Sequence, residues 1–253
     1  MNFHPQVKTI IDFWQELNTK TPPFVHPRDS LSRCLSYEEY KKIPESDISR
    51  YDTYFHTSLM PVPYYGDIQN AKVYVLYLNP GFCPDDYAAE RERKGYFQLF
   101  VNGLRQNGKN EYPFPFISPQ HDDTPAGRWW MRKLRRIIEH VAEQKNISRE
   151  NAVFEISQKI ATLELVAYHS TTFNGNYAVV HDLPSSQMIR NFVREYALPR
   201  AREDKACIII TRGKRIWNLT PEENVIIYDR NQARGAHLTS GFPAWPSLCK
   251  FLL

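Results

Sequence analysis

A chain of 253 residues, 42% hydrophobic and 24% charged, is long enough to bury a full core. Its 32 Lys and Arg stand against 28 Asp and Glu, and the net charge of +4 is too small to argue nucleic-acid binding by itself. No segment holds the roughly 18 apolar residues of a membrane span, and Cys34, Cys83, Cys207 and Cys249 form no CxxC or CxxH pair. An integral membrane protein and a locally spelled zinc or iron–sulfur site are thereby excluded.

The N-terminus shows neither a basic head nor an apolar run with a small-residue cleavage site, so the cytoplasm is the expected location. Val7, Ile10, Ile11, Trp14 and Leu17 recur at helical spacing, and a Pro-rich connection through Pro22, Pro23 and Pro27 follows. Residues 1–60 read as an N-terminal helical extension packed on the core, and 61–253 as the main domain. After Pro61-Val62-Pro63, short apolar runs alternate with helical stretches, the pattern of parallel strands joined by crossover helices.

Runs at 73–78, 162–166, 206–210 and 225–228 predict four buried strands; helices are expected at about 85–105, 126–144, 149–160 and 185–197. Ser148 and the Ser185-Ser186 pair are the expected N-caps of the last two. The predicted fold is a three-layer α/β/α domain with a central, mainly parallel four-stranded sheet. Ligands of such sheets bind beyond the carboxyl ends of the strands. Those ends carry Asn79-Pro80-Gly81-Phe82, Tyr168-His169-Ser170, Thr211-Arg212-Gly213-Lys214-Arg215, and a long segment running from Arg230 through Arg234 and His237 to Gly241.

Leu78-Asn79-Pro80-Gly81 after a buried strand, and His237 in a Ser/Thr/Gly loop after the last one, resemble the two motifs of the uracil-DNA glycosylase superfamily. The likeness is greatest to its mismatch-specific uracil/thymine branch, whose first motif has Asn-Pro-Gly where others have Asp-Pro-Tyr. Phe114-Pro115-Phe116 and Pro125-Ala126-Gly127-Arg128-Trp129-Trp130 are similar to that branch's Phe-Pro-Phe, then Pro, then Arg-Phe-Trp at a helix start. The resemblance covers 61–245 and leaves the N-terminal part unmatched.

The resemblance implies a uracil-DNA glycosylase-like sheet and a monofunctional DNA glycosylase. Such an enzyme hydrolyses an N-glycosidic bond to leave an abasic site, acts as a monomer on a base flipped out of DNA, and needs no metal or organic cofactor. In that reading Asn79 orients water and His237 donates a hydrogen bond to the departing base. Asn79 as a turn former before Pro80, and His237 as an exposed loop histidine, are the competing accounts. Gly81 enlarges the pocket where classical uracil enzymes carry Tyr, Phe82 stands beside it, and Phe116 stacks on the extruded base or packs in the core.

At the second strand end this chain departs from the family. Tyr168 and His169 stand where uracil-specific members place an Asn, which argues against plain uracil and for a modified or bulky base read by these two residues. Alternatively, both cap the strand end within their own loop. Base excision repair and defence against phage with modified DNA are both compatible with that substrate.

Arg212, Lys214, Arg215, Arg230 and Arg234 would neutralise phosphates if their loops share one edge. Leu238, Ser240 and Phe242 complete the expected DNA contacts, with Leu238 or Phe242 as the wedge that fills the vacated stack. The basic run at 128–136 reads as a packed helix with a charged outer face, and Asp85-Asp86 as a helix start without a catalytic role. Lys214 as a Schiff-base nucleophile is not distinguished from a phosphate contact. A non-cleaving nucleic-acid binder of the same fold and a nucleotide or nucleoside hydrolase are the alternative functions; no GxGxxG follows the first strand to support dinucleotide binding.

Overall fold

In the computed structural model, which describes residues 2–173 and 179–253, the apolar periodicity at the N-terminus becomes helix α1 (Pro5–Gln15). Its Val7, Ile10, Ile11, Phe13 and Trp14 are buried, and Pro5 opens it at a position where a missing N–H leaves no bond unmade. The one-turn α2 (Tyr37–Tyr40) is closed by a capping box between Ser36 and Glu39. It lies between two short parallel strands, β1 (Cys34–Leu35) and β2 (Phe55–His56).

The main sheet contains β3 (Tyr64–Tyr65), β4 (Val73–Tyr77), β5 (Ile160–Glu164), β6 (Cys207–Ile210) and β7 (Val225–Ile227), in the order β3-β5-β4-β6-β7. All neighbours run parallel except β3, which pairs antiparallel with β5. The sheet therefore has one strand more than expected. Tyr64–Tyr65 lies between Pro63 and Gly66, too short to display a period. Gly66 sits at φ +88°, and a Cβ there would strike the Ile160 carbonyl. Every residue of β4, β5 and β6 is buried, which is why β4 and β6 read as unbroken apolar runs.

The helix expected over 85–105 is two, α3 (Asp85–Glu92) and α4 (Tyr96–Arg105), separated where Gly95 takes a left-handed conformation at φ +77°. Next come α5 (Pro125–Lys145) and α6 (Arg149–Lys159), capped by Thr124 and Ser148, whose hydroxyls accept from Gly127 and Asn151 N–H groups. β5 begins at the residue after α6, two positions earlier than the apolar run suggests. Beyond it lie α7 (Val179–Asp182), α8 (Pro184–Phe192), a π-helical turn at Val193–Ala197, and α9 (Leu198–Arg202). The chain finishes with α10 (Lys214–Trp217), α11 (Arg230–Gly235) and α12 (Trp245–Leu252).

Helices flank both faces of the sheet. Tyr77 meets Trp129 and Trp130 of α5 edge-on, each at 5.6 Å between ring centroids, whereas Tyr74 turns the other way towards Phe192 of α8. The chain passes from β4 to β5 on one side and then to β6 on the other, so strand order reverses at the carboxyl end of β4. Residues before 61 belong to the same hydrophobic core: α1 packs against α4 and α8. No helix among the described residues is long and apolar enough to cross a membrane.

Candidate functional site

At the reversal point a cavity of about 960 Å³ opens between the sheet and helices α3, α4 and α5. Tyr65, Tyr77, Thr162 and Glu164 form its sheet side; Tyr96, Phe100, Phe116, Trp129 and Trp130 supply aromatic walls. The face is one and the same because Tyr65 stands opposite Thr162, and Tyr77 opposite Glu164, in the strand register.

Asn79, two residues beyond β4, lines this cavity with its amide held by the surrounding loop. Its Nδ2 lies 2.9 Å from Pro80 O, 3.1 Å from Tyr168 O and 2.9 Å from Ser170 Oγ. Ser170 gives its own proton to Thr172 O, so it accepts from Asn79. Two carbonyls and a committed hydroxyl fix which end of the amide faces the loop, and the opposite end, Oδ1, is a hydrogen-bond acceptor for water.

Gly81 and Phe82 also line the cavity. A Cβ built on Gly81 meets nothing within 4 Å, so a side chain there would enter open space. Phe82 is stacked on His56 at 3.4 Å between centroids and 15° between planes, with Tyr40 and Tyr87 edge-on around it. The N-terminal residues Tyr40 and His56 thus back Phe82, which lines the site. Burial drives the His56 pKa down to about 3, with His169 nearby adding to the effect, so its ring is neutral. Phe116 lines the cavity as well, while its ring packs edge-on against Tyr65 and Phe114.

The two residues expected to read the base are placed differently from that expectation. The Tyr168 ring lies away from the cavity, its hydroxyl donating to Asp29 Oδ2 at 2.5 Å and accepting from the His26 N–H at 3.1 Å. It is a buried tie between the strand end and the N-terminal segment. His169 does line the cavity, yet Nδ1 is 2.8 Å from Gly81 O and Nε2 3.1 Å from Met60 O. Burial lowers its pKa, opposed by Asp86 and both carbonyls. Its role in the structure is to hold the Gly81 turn.

His237 is exposed and does not line the cavity. α11 ends at Ala236 in a left-handed conformation, which turns the chain outward, and the imidazole folds over Gly235 and against Phe242 at 5.2 Å. Its carbonyl, held by Tyr228 Oη at 2.5 Å, fixes that turn. Leu238 is fully buried and cannot be a wedge; Phe242 is half-buried against Tyr228, and Ser240 is exposed. The structure thus does not bring His237 to Asn79.

The basic loops do converge. Arg212, Arg230 and Arg234 are exposed at the cavity rim, and Lys214 and Arg215 line an adjoining groove of about 790 Å³ that shares Arg212 and Arg230 with it. Arg212 also spans to the carbonyls of Ala233 and Arg234, tying the β6 loop to α11. Two further guanidinium groups, Arg128 and Arg132 of α5, reach the same rim. The stripe Trp130, Leu134, Ile137, Ile138 and Val141 is buried as its spacing predicts, but the first turns of α5 face the cavity mouth as well as solvent.

Three carboxyl groups also line the cavity: Glu164 and Glu90, which were not among the expected site residues, and Asp86, which the sequence places at a helix start. Glu164 is 7% exposed at the cavity floor, and burial pushes its pKa up to about 8, with Arg212 opposing. Glu90 is raised too, by burial, while accepting from the Met60 N–H at 3.0 Å. Burial also raises Asp86, offset by His169 and by the Cys83 N–H. One signal was available: an acidic residue inside an otherwise apolar strand is rare unless paired or functional. Among the described residues no three His, Cys, Asp or Glu side chains converge as a metal site would. Comparison with family models, curated proteins and solved structures finds no match.

Proposed function

We propose that this protein is a monofunctional DNA glycosylase that hydrolyses the N-glycosidic bond of a noncanonical or modified base and leaves an abasic site. The observation that carries this reading is a single cavity combining an anchored carboxamide, aromatic walls and a rim of arginines. Aromatic faces take a flat heterocycle, and the arginines neutralise the phosphates on either side of an extruded nucleotide. The finer fold assignment, a uracil-DNA glycosylase-like sheet, draws support from four parallel strands with Asn79-Pro80-Gly81 at the end of the first.

Chemically, a water held on Asn79 Oδ1 adds its oxygen to C1′ while the C–N bond breaks and its electron pair leaves with the base; the water's proton passes to the base or to solvent. A carboxamide orients the water but takes no proton from it, so a good leaving group is required. With His237 outside the cavity, stabilisation of the departing base falls to groups on the cavity floor. The volume, open at Gly81, exceeds what an unsubstituted pyrimidine fills, which favours a base with an added substituent.

The reading is tested by incubating the protein with oligonucleotides carrying uracil, thymine mismatches and 5-substituted cytosines, together with phage DNA bearing natural base modifications. Alkali-labile breaks on a modified-base substrate, lost in Asn79→Ala with folding intact, are the expected result. Salt-sensitive binding with no abasic product identifies a non-cleaving binder instead, and turnover of free nucleosides a nucleoside hydrolase.

A further inference from the structure

Three residues lining this cavity carry a buried side-chain oxygen without a hydrogen-bond partner: Glu164 (Oε2), Tyr65 (Oη) and Tyr77 (Oη). All three are more than nine-tenths buried, and of them only the carboxyl of Glu164 can offer a donor beside an acceptor. An unpaired polar atom at the bottom of a cavity costs free energy unless water or a ligand satisfies it. Glu164 stands opposite Tyr77, two residues before Asn79, so at about 3.3 Å per residue it lies about 7 Å deeper than the amide along the strand direction. A base whose sugar sits at Asn79 and whose ring lies between aromatic walls therefore presents its far edge to Glu164.

We infer that Glu164 is the specificity-determining residue of this cavity, and that it takes by a two-point hydrogen bond a base edge with a ring-nitrogen acceptor beside an amino donor. Cytosines, including 5-substituted ones, and adenines carry that edge. The inference deepens the base-excision reading and rests on it for the nature of the ligand. The titratable and charged groups lining the cavity with the carboxyl are Tyr65, Tyr77, Cys83, Asp86, Glu90, Tyr96 and His169, with Arg128, Arg132, Arg212, Arg230 and Arg234 towards the rim.

Burial keeps the acid protonated at neutral pH, so one oxygen donates and the other accepts. An edge with two donors side by side needs the ionised form, which this site disfavours. A lactam edge, as in uracil, matches the neutral acid but has no basic nitrogen. An amidine edge does, and sharing the proton converts the contact into a charge-assisted pair while overall charge is conserved. The cytosine-type edge is therefore held more tightly than the uracil-type edge.

Calorimetric titration of the full chain with free cytosine, 5-methylcytosine, adenine and uracil at pH 6.5 and pH 9 tests this. Cytosine should bind about tenfold tighter than uracil at pH 6.5, the gain of a charge-assisted over a neutral pair, and lose that advantage at pH 9. Glu164→Gln, which keeps a donor beside an acceptor but shares no proton, should still bind both bases, without the preference for cytosine and without the pH dependence; Glu164→Ala should lose about tenfold or more in cytosine affinity. Equal affinity for cytosine and uracil, unchanged binding by a folded Glu164→Ala, or no base binding at all overturns the inference. Edge-selective binding without abasic product rejects base excision and leaves the role of Glu164 standing; abasic product unaffected by Glu164→Ala does the reverse.

Discussion

Asn79 is held by oxygen atoms: the carbonyls of Pro80 and Tyr168 and the hydroxyl of Ser170 all face its nitrogen. Replacing it by Asp turns a carboxylate oxygen towards those carbonyls. Asn79→Asp should therefore lose about 1–3 kcal/mol of stability at pH 7 in urea unfolding, and less at pH 4 where the acid can donate. Gly81→Tyr should fold normally, since its Cβ meets nothing, yet fill the cavity mouth and lower excision of bulky bases more than of small ones. Glu164 gives a pH signature. Its pKa rises from about 4.3 in an unfolded chain to about 8, so between those values the folded state holds a proton that the unfolded state has released. Stability falls as pH rises through that window, by on the order of a few kcal/mol, and Glu164→Gln should remove this share of the fall between pH 5 and pH 8.

At the level of elements, the start of α5 carries much of the cavity wall. Gly127 lies against the His121–Asp122 backbone so closely that a Cβ would collide with the His121 carbonyl, and Thr124 caps the same turn. Gly127→Ala should cost about 1–3 kcal/mol by overpacking and displace Trp129, Trp130, Arg128 and Arg132 together, seen as coupled losses in thermal stability and base binding. The strands β4 and β6 were legible because burial on both faces writes continuous aliphatic runs, and α5 because its apolar stripe is long. β3 was not, since two tyrosines between proline and glycine carry no period. Asn79, Gly81, Phe82 and Phe116 could be placed at the cavity from their position after strands or in a shaped loop. Tyr168 and His237 could not, because a strand-end or loop position does not say which way a ring turns. Tyr168 turned to Asp29, and the left-handed Ala236 turned His237 out. Glu164 is not legible as a site residue by the strand-end rule, because it is the last residue within a strand and not one that follows it.

Across the whole molecule, the modest net charge conceals a local concentration: Arg128, Arg132, Arg212, Arg230 and Arg234 gather at one rim, with Lys214 and Arg215 in the groove beside it. DNA affinity should fall steeply with salt, and Arg212→Ala combined with Arg234→Ala should flatten the slope of log K against log salt concentration by about 2, whichever base is present. The N-terminal residues belong to this site as well, because Tyr40 and His56 support Phe82 and Asp29 anchors the Tyr168 strand end. The most direct measurement is the single-turnover rate of abasic-site formation in an end-labelled oligonucleotide bearing one 5-substituted cytosine. Cleavage after alkali that follows first-order kinetics in the intact protein, and slows about a hundredfold in folded Asn79→Ala, is the predicted result. Equal rates in the two proteins, or no abasic product from any modified base while DNA remains bound, would contradict it.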